Sequence, residues 1–246
     1  MTAFFWIVKA LTTAFGESAS DFLVHALPPV IAVLLGFTAF IVALGVQFRT
    51  TRYRAWPYWS AVAMVGVFGT MAADVLHVAL HVPYAVSTTL FALALAAVFA
   101  TWYKTERTLS IHTICTARRE RFYWAAVVAT FALGTAVGDL TATTLHLGYF
   151  TSAVLFGVAI MVPAAGYRWF RLNGVLAFWT AYVLTRPLGA SVADWLGVSH
   201  ARGGLDLGPG PVALVLGVVI AGFVAYLART KVDTPQRQNA ALTAAR

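Results

Sequence analysis

Apolar runs follow one another along most of the chain, broken by short stretches that hold Arg, Lys, Pro and Gly. Each run is about 17–25 residues long, enough to cross roughly 30 Å of hydrocarbon as an α-helix. The pattern predicts helices over roughly Phe4 to His25, Val30 to Phe48, Tyr58 to His81, Thr88 to Tyr103, Phe122 to His146, Ser152 to Phe170 and Phe178 to Val198, with a last one ending near Leu227. They fall into pairs. The first member of each pair carries polar residues at helical spacing, and the second is plainly apolar. The expected class is all-α: a polytopic membrane protein of eight transmembrane helices. They form four tandem two-helix repeats over 4–50, 57–105, 122–171 and 177–230, and 231–246 is expected to be a flexible cytoplasmic tail.

The repeats share a signature. An aromatic-Trp pair, Phe5-Trp6, Tyr58-Trp59, Tyr123-Trp124 or Phe178-Trp179, precedes a Gly by ten residues from the Trp. The glycines are Gly16, Gly69, Gly134 and Gly189, and five residues after each stands Asp21, Asp74, Asp139 or Asp194. With only 8 Trp and 9 acidic residues in the chain, chance does not place them this way. One duplicated unit does.

Composition agrees with a lipid environment. The chain is 60% hydrophobic and 11% charged, against roughly 25% charged for a soluble domain. The net charge of +8 is no nucleic-acid signature, because the basic residues cluster in the connections between repeats. Arg49, Arg52 and Arg54, then Lys104, Arg107, Arg118, Arg119 and Arg121, then Arg168 and Arg171 fill those connections, and Arg229, Lys231 and Arg237 follow the last helix. Turns inside the repeats are nearly free of positive charge, apart from Arg202. The positive-inside rule then puts both termini on the cytoplasmic side of the membrane. With an even number of spans per unit, all four units enter in the same direction. One cysteine, Cys115, excludes a disulfide framework and a thiolate metal site. Phe4 to Phe15 lacks a basic leader and a cleavage site, so it is read as structure.

The candidate chemistry lies on the first helices. With each Trp at the inner membrane interface, the Gly falls roughly 15 Å deeper and the Asp roughly 22 Å deeper. An ionised carboxylate at such depth costs about 2.5–3.5 kcal/mol even on the mildest scale. The four aspartates are read either as packing glue or as a pathway for a cation. The pathway reading gives a transporter or channel for a divalent metal such as manganese, or for protons. Helical spacing adds Thr13, Glu17 and His25 to the face of Asp21 and Thr70, His77 and His81 to that of Asp74. It adds Thr135, Thr143 and His146 near Asp139. Arg186, inside a span, has Glu17 as its expected partner, as a lock between units or as a gate. Lys9 is expected to snorkel to the interface. Candidate metal ligands are Asp74, His77, His81, Asp21, His25 and Asp139. Haem held by His25, His77, His81 or His146 is an alternative, and a purely structural polar core is another. No His-Glu-x-x-His pair and no Gly-x-Ser-x-Gly turn occurs, so an enzyme is not expected.

These segments carry a family resemblance. Phe5-Trp6 with Lys9, Thr12-Thr13, Gly16-Glu17 and Asp21 is one; Arg119-Glu120-Arg121-Phe122-Tyr123-Trp124 is another. Gly134-Thr135-Ala136 with Gly138-Asp139-Leu140 and the run from Phe178 to Ser191 complete it. Together they resemble a bacterial family of uncharacterised membrane-anchored proteins built from four repeats of unknown function. The resemblance spans nearly the whole chain and implies the four-unit architecture, with no activity attached.

Overall fold

Thr2 caps the first helix, its hydroxyl accepting from the Phe5 amide at 3.4 Å. From there the computed structural model, which describes residues 2–233, runs as eight long α-helices. They are α1 (Ala3–Ala26), α2 (Pro29–Phe48), α3 (Ala55–Asp74), α4 (Tyr84–Glu106), α5 (Ala117–Asp139), α6 (Gly148–Trp169), α7 (Gly174–Gly197) and α8 (Pro209–Thr230). Thr116 and Asn173 cap α5 and α7 through their side chains. Proline opens α2 and α8, where a missing N–H matters least. No strand occurs among the described residues, and the expected tail lies outside them from residue 234 onward.

Six of these helices, α2, α3, α4, α5, α6 and α8, are long and apolar enough to cross a membrane. The chain is thus a multi-pass membrane protein in character. α1 and α7 have 24 residues each but are less apolar, because α1 holds Lys9, Glu17 and Asp21 and α7 holds Arg186 and Asp194. Lys9, Glu17 and Arg186 are all buried within the protein.

The odd-numbered helices form a closed ring. α1 packs on α3, α3 on α5, α5 on α7, and α7 back on α1. Each even-numbered helix lies outside, chiefly against the first helix of the next repeat: α2 on α3, α4 on α5, α6 on α7, and α8 on α1. The last repeat thereby closes on the first. Burial follows this order. In α3 and α5, 61% and 67% of the most apolar stretch is buried, against 17% in each of α2, α4 and α6. The outer faces present Val30, Leu34, Val158, Val162, Leu214 and Val218 outward. Such a belt of exposed apolar side chains requires a non-aqueous neighbour.

Small residues bring the ring together. A Cβ built on Gly16 would lie 2.7 Å from the Gly66 Cα, so α1 and α3 touch backbone to backbone there. Gly134 faces the Arg186 and Pro187 side chains, and Gly189 faces Thr13.

At the end of the ring where the basic connections lie, the aromatic-Trp pairs interlock. Each Phe or Tyr packs on the Trp of the following repeat. Ring centroids are 5.5 Å apart for Phe5 and Trp59, 5.8 Å for Tyr58 and Trp124, 6.1 Å for Tyr123 and Trp179, and 5.7 Å for Phe178 and Trp6. The Tyr58 and Tyr123 hydroxyls are 2.5 Å apart. This corrects the expectation of a lipid-facing position for three of the four repeat tryptophans; Trp6 is half-buried. Trp59, Trp124 and Trp179 are buried in the core, because the ring's inner seam is filled by large flat side chains packed on one another across the repeats.

Candidate functional site

The repeat signature places equivalent residues at equivalent heights. One residue after each Gly stand Glu17, Thr70, Thr135 and Ala190; three before it stand Thr13, Gly66, Phe131 and Arg186. In the ring these two tiers meet at a single buried guanidinium. Arg186 Nη2 donates to Glu17 Oε2 at 2.6 Å and to Thr135 Oγ1 at 2.7 Å, and it also reaches Thr70 Oγ1. Nη1 donates to the Thr13 carbonyl at 3.3 Å. Thr70 in turn donates to Glu17 Oε2 at 3.2 Å. Arg186 from the fourth repeat therefore touches the other three, and its guanidinium lies 5.3 Å from the centre of the Phe131 ring. Nη2 carries two hydrogens, which the three oxygens around it share, and the second nitrogen of the fork adds the Thr13 carbonyl, a contact that a single ammonium nitrogen would not add.

One helical turn further from the aromatic tier stand the four aspartates. Each follows its Glu17, Thr70, Thr135 or Ala190 by four residues and so lies on the same helix face, about 6 Å along the axis. By this spacing Asp21, Asp74, Asp139 and Asp194 share the helix faces whose previous turn carries Glu17, Thr70, Thr135 and Ala190. Each is half-buried, and Glu17 and the four aspartates lie within electrostatic reach of one another. No carboxylate of the four is hydrogen-bonded by another described residue. Beside Asp21, a cavity of about 370 Å³ opens between α1 and the α7–α8 connection, lined by His25, Arg202 and Pro209 among others.

A family model described as a Repeat of Unknown Function (DUF347) matches the chain four times, over 4–53, 57–108, 122–173 and 177–233. The chain belongs to this family. No curated protein and no solved structure matches it. Each DUF347 match takes in one inner helix and the outer helix that follows it, so the family unit and the two-helix repeat coincide.

The DUF347 repeats are not equal at their acidic ends. In the second and third, the inner helix widens into a π-turn directly after the Asp, at Val75–Ala79 after Asp74 and at Leu140–Thr144 after Asp139. His81 and His146, each twelve residues after its repeat Gly, then turn the chain in the left-handed region with φ of 53° and 55°. In the first and fourth repeats the α-helix runs on past Asp21 and Asp194. π-turns concentrate at functional positions. No hydrophobic periodicity signals them; the shared His at the same offset is the one sign in the sequence.

The expected metal ligands do not assemble. His77 is taken up by its own turn: Nδ1 lies 2.8 Å from the Val82 carbonyl, Nε2 lies 3.1 Å from Ser87 Oγ, and the ring stacks on Tyr84. His25 Nδ1 lies 2.6 Å from the Asp21 carbonyl, and His25, His81 and His146 are exposed at helix ends or turns. Among the described residues no three His, Cys, Asp or Glu side chains come together as a metal-ligating group. Lys9 also departs from expectation. It is fully buried, its ammonium nitrogen 4.1 Å from the centres of both the Phe131 and Tyr182 rings. It cannot snorkel, because α1 is an inner helix and the residues around Lys9 belong to the ring.

Proposed function

We propose that this protein carries small cations across a bacterial cytoplasmic membrane through the polar axis of its inner ring, and that the cation is the proton. In this reading all eight helices span the bilayer as four same-direction pairs, with the basic aromatic end and both termini in the cytoplasm. α1 and α7 cross despite their charges because those charges face the ring and not lipid. What supports the reading is the set of four repeat-equivalent carboxylates at one height on the inner helices, a turn beyond the Arg186–Glu17 pair. Acids repeated at such depth are poor glue, since a Ser or Thr would join helices at a lower desolvation cost.

The same geometry favours protons over a divalent metal such as manganese. A metal ion would have to pass a fixed guanidinium of like charge, whereas a proton moves between oxygens without displacing Arg186. The cavity beside Asp21 gives the acidic tier its access from the outer side. The Arg186–Glu17 pair is then the gate: a proton reaching Glu17 neutralises it and loosens the clamp.

Purified protein in liposomes under a pH gradient tests this. The wild type should pass protons, and Asp74→Asn combined with Asp139→Asn should lose most of that flux while remaining folded. Undiminished flux in the double variant would sink the proposal. One observation favours a purely structural core instead, namely that Arg186 binds all three other repeats; that reading predicts no wild-type flux at all.

A further inference from the structure

Between the Arg186 clamp and the aromatic tier lies a group that the proposed acidic pathway does not use. Lys9 is sealed in the ring with its nitrogen against two aromatic faces and no hydrogen-bond acceptor among the described residues. The Tyr182 hydroxyl, equally buried, has no such partner either. Toward the basic end follow the paired hydroxyls of Tyr58 and Tyr123. The ionisable groups around Lys9 are few. α7 presents Tyr182 and Arg186; α3 contributes Tyr58 and α5 Tyr123. α8 offers only Tyr226 and Arg229 near its end, and α2 has none. Glu17, two turns away on α1, is already engaged by Arg186.

A permanent ammonium fits this setting badly. It would bring three N–H donors without acceptors and a second positive charge close to Arg186, with no carboxylate of its own. A neutral amine removes both difficulties and keeps a lone pair. The two ring faces nevertheless offer a cation a place to stay, since desolvated cation–π contacts are at their strongest. The site suits both protonation states of the amine.

We propose that Lys9 is the inner proton-binding site of the axis, lying between the Arg186 clamp and the aromatic tier. This inference rests on the proton-carrier reading and extends it to the inner half. The amine lone pair takes a proton delivered from the acidic side and becomes an ammonium held between Phe131 and Tyr182. It then gives the proton up toward the tyrosine hydroxyls, and the neutral amine is restored. As the N–H bond forms, the O–H bond of the acid that delivers the proton breaks; on release that N–H bond breaks, an O–H bond forms at a tyrosine hydroxyl, and the hydroxyl passes its own proton on toward the basic end.

The chain has three lysines, Lys9, Lys104 and Lys231, so Nζ-labelled protein gives a simple NMR spectrum, and Lys9→Met assigns the signal. The Lys9 nitrogen should interconvert between amine and ammonium across the pH range in which the protein is folded, while Lys104 and Lys231 remain ammonium at neutral pH. A Lys9 nitrogen that stays ammonium throughout overturns the inference. In liposomes, both Lys9→Met and Lys9→Arg should lose proton flux. Arg keeps the charge and the ring contacts, so its restoring flux would show that Lys9 is merely a packing cation. Absent wild-type flux counts against the carrier reading itself, and the NMR result separates the two failures.

Discussion

Arg186 and Glu17 stand 169 residues apart in the chain and 2.6 Å apart in the fold. The first and last repeats are thereby joined at the centre of the ring, in the same layer where Thr70 and Thr135 complete the contact.

Removing one partner leaves the other charge buried without a counter-charge. Glu17→Gln should therefore destabilise the protein by about 3–5 kcal/mol, and Arg186→Met by a similar amount. Glu17→Gln combined with Arg186→Met should be milder than the sum, since no orphan charge remains. Unfolding of the three variants in detergent checks this. Strict additivity would mean that the two side chains do not depend on each other.

Where α1 meets α3, a side chain has no room. Gly16→Ala places a methyl 2.7 Å from the Gly66 backbone, which cannot rotate out of the way. Overpacking of this kind costs about 1–3 kcal/mol. Gly222, on α8, has nothing within 4 Å of its would-be Cβ. Gly222→Ala should be neutral or stabilising by up to about 1 kcal/mol through helix propensity. Thermal unfolding of the two variants side by side is the measurement. Equal tolerance at both positions would contradict the close approach.

In the aromatic tier, the Tyr58 and Tyr123 hydroxyls satisfy each other at 2.5 Å. Tyr58→Phe should cost about 1–3 kcal/mol, the cost of leaving a buried hydroxyl without its partner. Adding Tyr123→Phe should cost little more, because the orphan is then gone. A double variant as weak as the sum of the singles would show that the hydroxyls are satisfied elsewhere.

Much of this arrangement was legible in the residues. The Trp, Gly and Asp spacing marked four units, and the family matches fall on the same four segments. Eight helices were expected and eight are present, with bounds shifted by a few residues at most ends. Charge in an apolar span is expensive, so Arg186 had to find an acid, and Glu17 was the one at matching height. Other positions depend on contacts and local geometry that spacing along one helix does not reveal. Amphipathic side chains favour a lipid interface, which predicts Lys9 and the repeat tryptophans there, yet Lys9, Trp59, Trp124 and Trp179 lie inside the ring. His77 and His81 were grouped with Asp74 by helical spacing, but the π-turn after Asp74 alters that spacing and His77 is held by its own turn.

Periodicity along one helix reveals which face is polar and how deep each group sits, because those follow from 1.5 Å and 100° per residue. So the sequence by itself determined the helices, their fourfold repetition, and the shared height of the aspartates. It did not determine what each face meets. That depends on how four inner helices close into a ring, with each outer helix packed on the next repeat and α8 returned to α1. Such contacts join residues far apart in the chain. Only the tertiary structure decided that Lys9 faces Phe131 and Tyr182 and not lipid, and that one guanidinium serves all four repeats.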